Sequence, residues 1–213
     1  VEWINRGAAK QSTKEGLRWD NGVRNVAQKT SSSTTLVHVA DREADSFHFF
    51  QTCFSEGQSF VVRVRQNRKI IGEMERLFSS TKQKPIRFQR EVQLSKRRFK
   101  SREKSRYHPS RDTRAATLSV RCSSVKIKRP ESVSPGAEEL SLSYVWIREE
   151  NPPKGCQAVD WKLLSNLPIE TESDVSWIIS IYQQRWKIEE YFKALKTGCG
   201  YRLRNQHSYE GLV

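Results

Sequence analysis

Thr171-Glu172-Ser173-Asp174-Val175-Ser176-Trp177-Ile178-Ile179-Ser180-Ile181-Tyr182-Gln183-Gln184-Arg185-Trp186-Lys187-Ile188-Glu189-Glu190-Tyr191-Phe192-Lys193-Ala194-Leu195-Lys196-Thr197-Gly198 is the longest and best-punctuated run of the sequence. Its opening offers N-cap side chains and first-turn acids, and Gly198 offers a stop. The pattern predicts one helix over about 174–197. Tyr182, Arg185, Glu189 and Lys196 recur in it at gaps of three, four and seven, which puts all four on one stripe. Ile178, Ile179, Trp186 and Leu195 are available for packing on neighbouring faces. A purely solvated stripe needs no tyrosine, and a purely buried one avoids two cations. The set suits a site in which Glu189 holds a hard divalent cation while Arg185, Lys196 and the Tyr182 hydroxyl grip a phosphate. The plainer alternative is an i,i+4 pair between Arg185 and Glu189, worth about 0.3–0.5 kcal/mol.

A second carboxylate stands far upstream. Leu36-Val37-His38-Val39-Ala40 is a β-branched run that ends at Asp41, where a rigid strand can aim a side chain into a cleft. Arg42 to Cys53 has near-helical apolar spacing, so Asp41 could equally be the N-cap of that helix. Phe60 to Arg65 reads as the next strand. Between Gln66 and Ala158 the period becomes two, at Ile86–Leu94, Ala116–Arg121, Val125–Ile127 and Leu140–Trp146, which predicts antiparallel strands. Val159–Ser165 looks like a further strand, following the turn Asn151-Pro152-Pro153-Lys154-Gly155.

Charge narrows the class of partner. Of 213 residues, 38 are Lys or Arg and 24 are Asp or Glu, a net +14. Lys96 to Arg114 carries nine cations and two acids, half of that net charge, with Phe99 and Tyr107 interleaved. Basic runs interleaved with aromatics fit a nucleic-acid backbone; a solvated loop is the alternative. Six Trp and nine Phe exclude a solvating disordered tail. No stretch approaches a membrane span, and no signal peptide opens the chain. The four cysteines form no Cys-x-x-Cys pair, so neither a zinc ribbon nor a disulfide scaffold is indicated.

Tyr182-x2-Arg185-x3-Glu189-x6-Lys196 resembles the Y-R-E-K signature of a family of bacterial insertion-sequence DDE transposases. Val39-Ala40-Asp41-Arg42-Glu43-Ala44-Asp45 is similar to that family's strand around its second catalytic Asp. The Asn151–Gly155 turn and the Trp161-x20-Tyr182 spacing resemble the hairpin-forming, cut-and-paste members. The similarity runs from about residue 10 to 213.

The resemblance implies an α/β fold: a ribonuclease-H-like (retroviral-integrase-like) catalytic core interrupted by a β-rich insertion. Residues 1–65 would be the first part of the core, 66–158 the insertion with its basic loop 96–114, and 159–213 the second part. Asp41 and Glu189 would be catalytic metal ligands for Mg2+ or Mn2+, two ions in all. Tyr182, Arg185 and Lys196 would hold transposon-end DNA. Trp161 would stack on a flipped base, although core packing accounts for a tryptophan as readily. Arg63, Arg65, Arg68 and Lys69 match a basic segment near the end DNA. The partners implied are double-stranded transposon ends and target DNA, a second copy in a dimer, and no membrane. The location implied is the bacterial cytoplasm, associated with the nucleoid when bound to DNA.

One departure stands out. The family's first Asp lies on an earlier strand, further upstream than the 40 residues that precede Asp41, and Glu2, Glu15 and Asp20 follow no comparable apolar strand. The chain therefore reads as a fragment without the first Asp, the N-terminal DNA-binding region or the C-terminal dimerisation segment. The third carboxylate would come from outside it. Metal-dependent DNA cleavage and strand transfer is the activity implied for the intact enzyme. A metal-dependent nuclease on the same core and a non-catalytic DNA-binding remnant are the alternatives.

Overall fold

The computed structural model describes residues 12–31, 33–73, 76–94, 96, 112–133 and 136–197. The elements run α1 (Ser12–Lys29), β1 (Val37–Ala40), a 3-10 turn (Arg42–Ala44), α2 (Phe47–Ser55), β2 (Ser59–Arg63), α3 (Leu77–Lys82), β3 (Phe88–Leu94), β4 (Arg114–Lys128), β5 (Glu139–Glu149), β6 (Asp160–Ser165), α4 (Glu172–Gln183) and α5 (Trp186–Thr197). The six strands form one sheet in the order β1-β2-β6-β5-β4-β3. Only β1 and β2 pair in parallel, Val37 with Ser59 through to Ala40 with Val62; every other pairing is antiparallel. A parallel pair needs a crossover, and α2 supplies it. The fold is mixed α/β, and strands on both sides of the basic run share the same sheet.

Two apolar layers cover the two faces. On one, Phe47, Phe49, Phe50 and Cys53 of α2 and Val23 of α1 meet Phe60, Val62, Tyr144, Trp146 and Leu164. Phe50 stacks on Phe60 with centroids 4.9 Å apart. On the other, Val175, Ile178, Ile179, Ile181 and Tyr182 of α4 bury against Val61, Leu118, Val120, Val145, Ile147 and Leu163. Each such aliphatic side chain taken from water stabilises the layer by about 1.5–3 kcal/mol.

These layers explain why β4 reads as two strands in sequence. Ala116, Leu118 and Val120 point to the α4 layer, whereas Val125 and Ile127 point to the α1–α2 layer. The alternation changes phase across Cys122–Ser124, yet pairing with β5 is unbroken from Leu118 to Lys128. The strand serves a different layer at each end.

Two other expectations are corrected, and one segment without an expected element acquires one. Residues 12–29 form α1, although they carry Gly16 and Gly22 and had no assigned structure; Val23 and the buried Asp20 fix the helix from outside. Arg42–Cys53 is not one helix. Asp41 caps only the 3-10 turn, its Oδ1 3.0 Å from the Glu43 amide, and Ser46 caps α2. The break falls at Asp45, whose carboxylate is held by the loop after β2. α2 then ends at Gly57, whose φ of +62° suits a residue without Cβ.

The predicted helix 174–197 is likewise two helices. At the join the Gln184 and Arg185 amides reach back three residues, to Ile181 O at 3.0 Å and Tyr182 O at 3.1 Å. No Gly or Pro lies there. The 3-10 tightening coincides with the anchoring of Tyr182 and Arg185 described below, and such mid-helix turns mark functional constraint. Ile178 and Ile179 are buried as expected, whereas Trp186 is 51% exposed and Leu195 half-buried.

Candidate nucleic-acid and metal site

Parallel strands present their carboxyl ends together, the usual place for a site in an α/β sheet. Ala40 pairs with Val62, so Asp41 and Arg63 leave β1 and β2 side by side. β6 runs antiparallel to β2 and starts at the same end, with Arg63 opposite Leu163. Alternation along β1 directs Asp41 to the face of Val37 and Val39, the α4 layer. Arg63 follows Val61, and Trp161 precedes Leu163, onto that same face.

Tyr182 closes the cluster from the last turn of α4. Its ring is buried and meets Trp161 edge-on, centroids 5.7 Å apart and planes at 64°. The Arg63 guanidinium donates to the Asp160 carbonyl at 3.2 Å. Burial lowers the Arg63 pKa from the ordinary arginine range; Tyr182 partly offsets this, and the charges of Arg42 and Arg185 reinforce it. Arg185 donates to Glu189 Oε1 at 2.6 Å. Burial pulls its pKa down, but Glu189 and Tyr182 outweigh that and hold it above the ordinary value. Glu189 is 65% exposed.

Asp41, Arg63, Trp161 and Tyr182 thus belong to elements that meet at one end of the sheet, whereas Glu189 stands on the exposed helix α5 and is joined to Arg185. Arg65 and Lys69 are exposed on the segment after β2. Arg68 is turned elsewhere: Asp45 Oδ1 binds its guanidinium at 2.6 Å, the Asp45 carbonyl accepts from it at 2.8 Å, and it lies over the Phe50 ring. The side chain of Lys196 lies outside the described set, as do residues 97–111 of the basic run. Of the rest of that run, Lys96 pairs with Asp112 at 3.5 Å. Arg114 opens β4 and is bound by both oxygens of the buried Glu149. Arg114 is therefore a structural cation rather than a loop charge.

Sequence reasoning missed three features. Arg42 faces the Arg63 charge, and only its position next to Asp41 could have flagged it. Asp20, weighed only as an upstream acid, is 1% exposed in α1; it pairs with His48 Nδ1 at 2.6 Å and accepts from the Thr52 hydroxyl at 3.2 Å. Asp160 Oδ1 accepts from Trp146 Nε1 at 2.8 Å and both its oxygens bind Lys162, a network on the opposite face of the sheet. No local sequence signal connects Asp20 with Thr52, 32 residues on, or Asp160 with Trp146, 14 residues back.

The donor set bears on a metal. Asp41 and Glu189 are hard oxygen ligands of the kind Mg2+ or Mn2+ takes. Among the described residues, however, no three His, Cys, Asp or Glu side chains group to hold a metal ion. The residues fit such an ion in kind but not in number. Among the described residues no helix is long and apolar enough to cross a membrane.

What the cluster offers is three guanidiniums and a phenol against one exposed carboxylate and the half-buried Asp41, an arrangement suited to a phosphate-bearing partner. The sequence matches the family described as transposase DDE domain over residues 22–212. That match covers most of the chain, and the chain belongs to the transposase DDE domain family.

Proposed function

We propose that the chain acts in metal-dependent DNA cleavage and strand transfer as a transposase of the hairpin-forming Y-R-E-K type. In this reading it grips transposon-end DNA and contributes Asp41 and Glu189 to a divalent-ion centre completed by a third carboxylate from outside this segment. The core is ribonuclease-H-like, formed by 1–65 and 159–213, with 66–158 inserted. The partner is double-stranded DNA, the assembly a dimer, and the location the bacterial cytoplasm at the nucleoid.

The observation that carries the reading is the clustering near the carboxyl end of β2, where Asp41 also emerges, of Arg63 on the Asp160 carbonyl and Tyr182 against Trp161, with the Arg185–Glu189 pair following Tyr182 in the chain. A bound Mg2+ or Mn2+ supplies Lewis-acid stabilisation of charge at the phosphodiester. The protein's part is positioning. Arg185, Tyr182 and Lys196 hold a phosphate, Arg65 and Lys69 follow the strand, and Trp161 offers its ring to a displaced base. Arg185 changes partner as DNA arrives: an exposed i,i+4 pair is worth only about 0.3–0.5 kcal/mol, so a phosphate readily replaces Glu189 and leaves that carboxylate free. Arg68 and Arg114 are committed to Asp45 and Glu149 and serve the fold.

Strand cleavage tests this. In the transposase, Glu189→Ala loses several kcal/mol of transition-state stabilisation, at least ~100-fold in cleavage rate, while DNA binding persists. Normal cleavage by that variant removes Glu189 from the reaction. The lack of a three-acid group among the described residues favours a second reading, a non-catalytic DNA-binding remnant. That reading requires binding without turnover in Mg2+ by the unaltered protein.

A further inference from the structure

We infer that Asp160 is a positioning residue for Trp161: its carboxylate, bound on the far face of the sheet, sets where the indole stands on the face proposed to meet DNA. The inference rests on the reading above, in which Trp161 offers its ring to a displaced base, and adds the residue that holds the ring there.

The need for a hold follows from the sheet. β2 and β6 stay together as far as the Val64 amide, which donates to the Lys162 carbonyl at 2.7 Å. One rung further the Gln66 amide would serve the Asp160 carbonyl, but Asp45 Oδ2 takes it, and the Arg65 amide with it. The Arg63 guanidinium fills that carbonyl instead, at 3.2 Å. Around Trp161 the β6 backbone takes its ladder partners from β5, with Ile147 opposite Trp161 and Arg148 opposite Asp160.

The far face supplies the second hold. Side chains alternate along a strand, so Asp160 and Lys162 point one way and Trp161 the other. Both Asp160 oxygens bind the Lys162 ammonium at 2.7 Å, and Oδ1 also accepts from Trp146 Nε1 at 2.8 Å. Trp146 is buried in the α1–α2 layer, and the ammonium lies 5.2 Å from its ring centroid and 5.1 Å from that of Phe78. The two neighbours of Trp161 are thus locked to each other and to the core, which fixes the pitch of the strand between them. Across the sheet that pitch sets the edge-on meeting of Trp161 with Tyr182, centroids 5.7 Å apart. The carboxylate itself faces away from the proposed DNA. Loss of its negative charge alone would tighten DNA binding, so weaker binding on its removal has the opposite sign from electrostatics.

Two DNA duplexes test this by fluorescence anisotropy, one fully paired and one with a single 2-aminopurine opposite an abasic site, a base that leaves the stack at little cost. Asp160→Ala is expected to weaken binding of the unpaired-base duplex about tenfold, the order of one lost base–aromatic stack, and to leave the fully paired duplex bound at least as well. In a Trp161→Ala background the same change should cost nothing more. Equal losses on both duplexes, tighter binding of both, or losses that multiply with Trp161→Ala would overturn the inference. Asp160→Asn keeps an acceptor for Trp146 and gives up the ion pair, so it carries the test if Asp160→Ala does not fold. It should weaken binding of the unpaired-base duplex about threefold, and unchanged or tighter binding would refute the inference.

Should Trp161→Ala bind both duplexes as the unaltered protein does, the base-stacking reading falls instead. The inference is then decided in the free protein by nuclear Overhauser contacts between the Trp161 indole and the Tyr182 ring. Asp160→Ala should weaken them while those between Phe50 and Phe60 persist. Contacts of native strength, or an equal loss between Phe50 and Phe60, would refute it.

Discussion

Asp45 shows how one carboxylate can tie the turn before α2 to the segment after β2. Buried at 3% exposure, it accepts from the Arg65 amide at 2.6 Å and the Gln66 amide at 2.8 Å, and it pairs with Arg68. Removing one partner of a buried pair leaves an uncompensated charge, here with two orphaned amides. Asp45→Ala should destabilise the fold by about 3–5 kcal/mol in denaturant titration. A loss below about 1 kcal/mol, the range of exposed pairs, would show the pair to be solvated. At this scale the sequence was only partly legible. Asp41, Tyr182, Arg185 and Glu189 stood out because their spacing and punctuation are local. Arg68 and Arg114 read as free cations because Asp45 and Glu149 lie 23 and 35 residues away from them.

Helix α4 owes its start to a reciprocal cap: Thr171 Oγ1 accepts from the Asp174 amide at 3.1 Å, and Asp174 Oδ2 accepts from the Thr171 amide at 2.8 Å. Thr171→Ala should cost about 1 kcal/mol of stability. The Thr171 backbone amide, then its hydroxyl, hold the Asp174 carboxyl below its ordinary 3.8, with the Arg87 charge adding to the effect. A depressed carboxyl contributes stability in full above its unfolded value, and the contribution fades as pH falls through the lowered one. Unfolding midpoints of the native protein and Asp174→Asn should therefore differ at neutral pH and converge well below pH 3.8. A difference that persists in acid would mean the carboxylate's charge is not the stabilising feature. This cap was legible in sequence. The break between α4 and α5 was not, since nothing in Gln183-Gln184-Arg185 interrupts a helix. The phase change in β4 was visible, but its cause, two layers on opposite faces, belongs to the tertiary structure.

Across the whole molecule, the sheet gathers an upstream acid and a downstream helix at one end while carrying a net charge of +14. Half of that surplus falls in residues 96–114, where Arg114 is bound by Glu149. Replacing Lys100, Arg102, Lys104 and Arg106 by Gln should flatten the log–log salt dependence of duplex binding by up to ~0.9 per lost phosphate contact. An unchanged slope would make the run a solvated loop. The architecture was legible because strand and helix periods are strong signals. The proposed pairing of Asp41 with Glu189 was less so, because the two are 148 residues apart in sequence and their placement depends on the order β1-β2-β6 and the path of α4.

The central claim, that Asp41 and Glu189 serve one cation beside DNA, is tested most directly by Mn2+ binding followed by electron paramagnetic resonance in the presence of a DNA duplex. The account predicts that Asp41→Asn and Glu189→Gln each weaken binding, and that the double variant binds no more weakly than the worse single one, because the two carboxylates share an ion. Mn2+ binding unaffected by either substitution, or losses that multiply as for two separate ions, would contradict it.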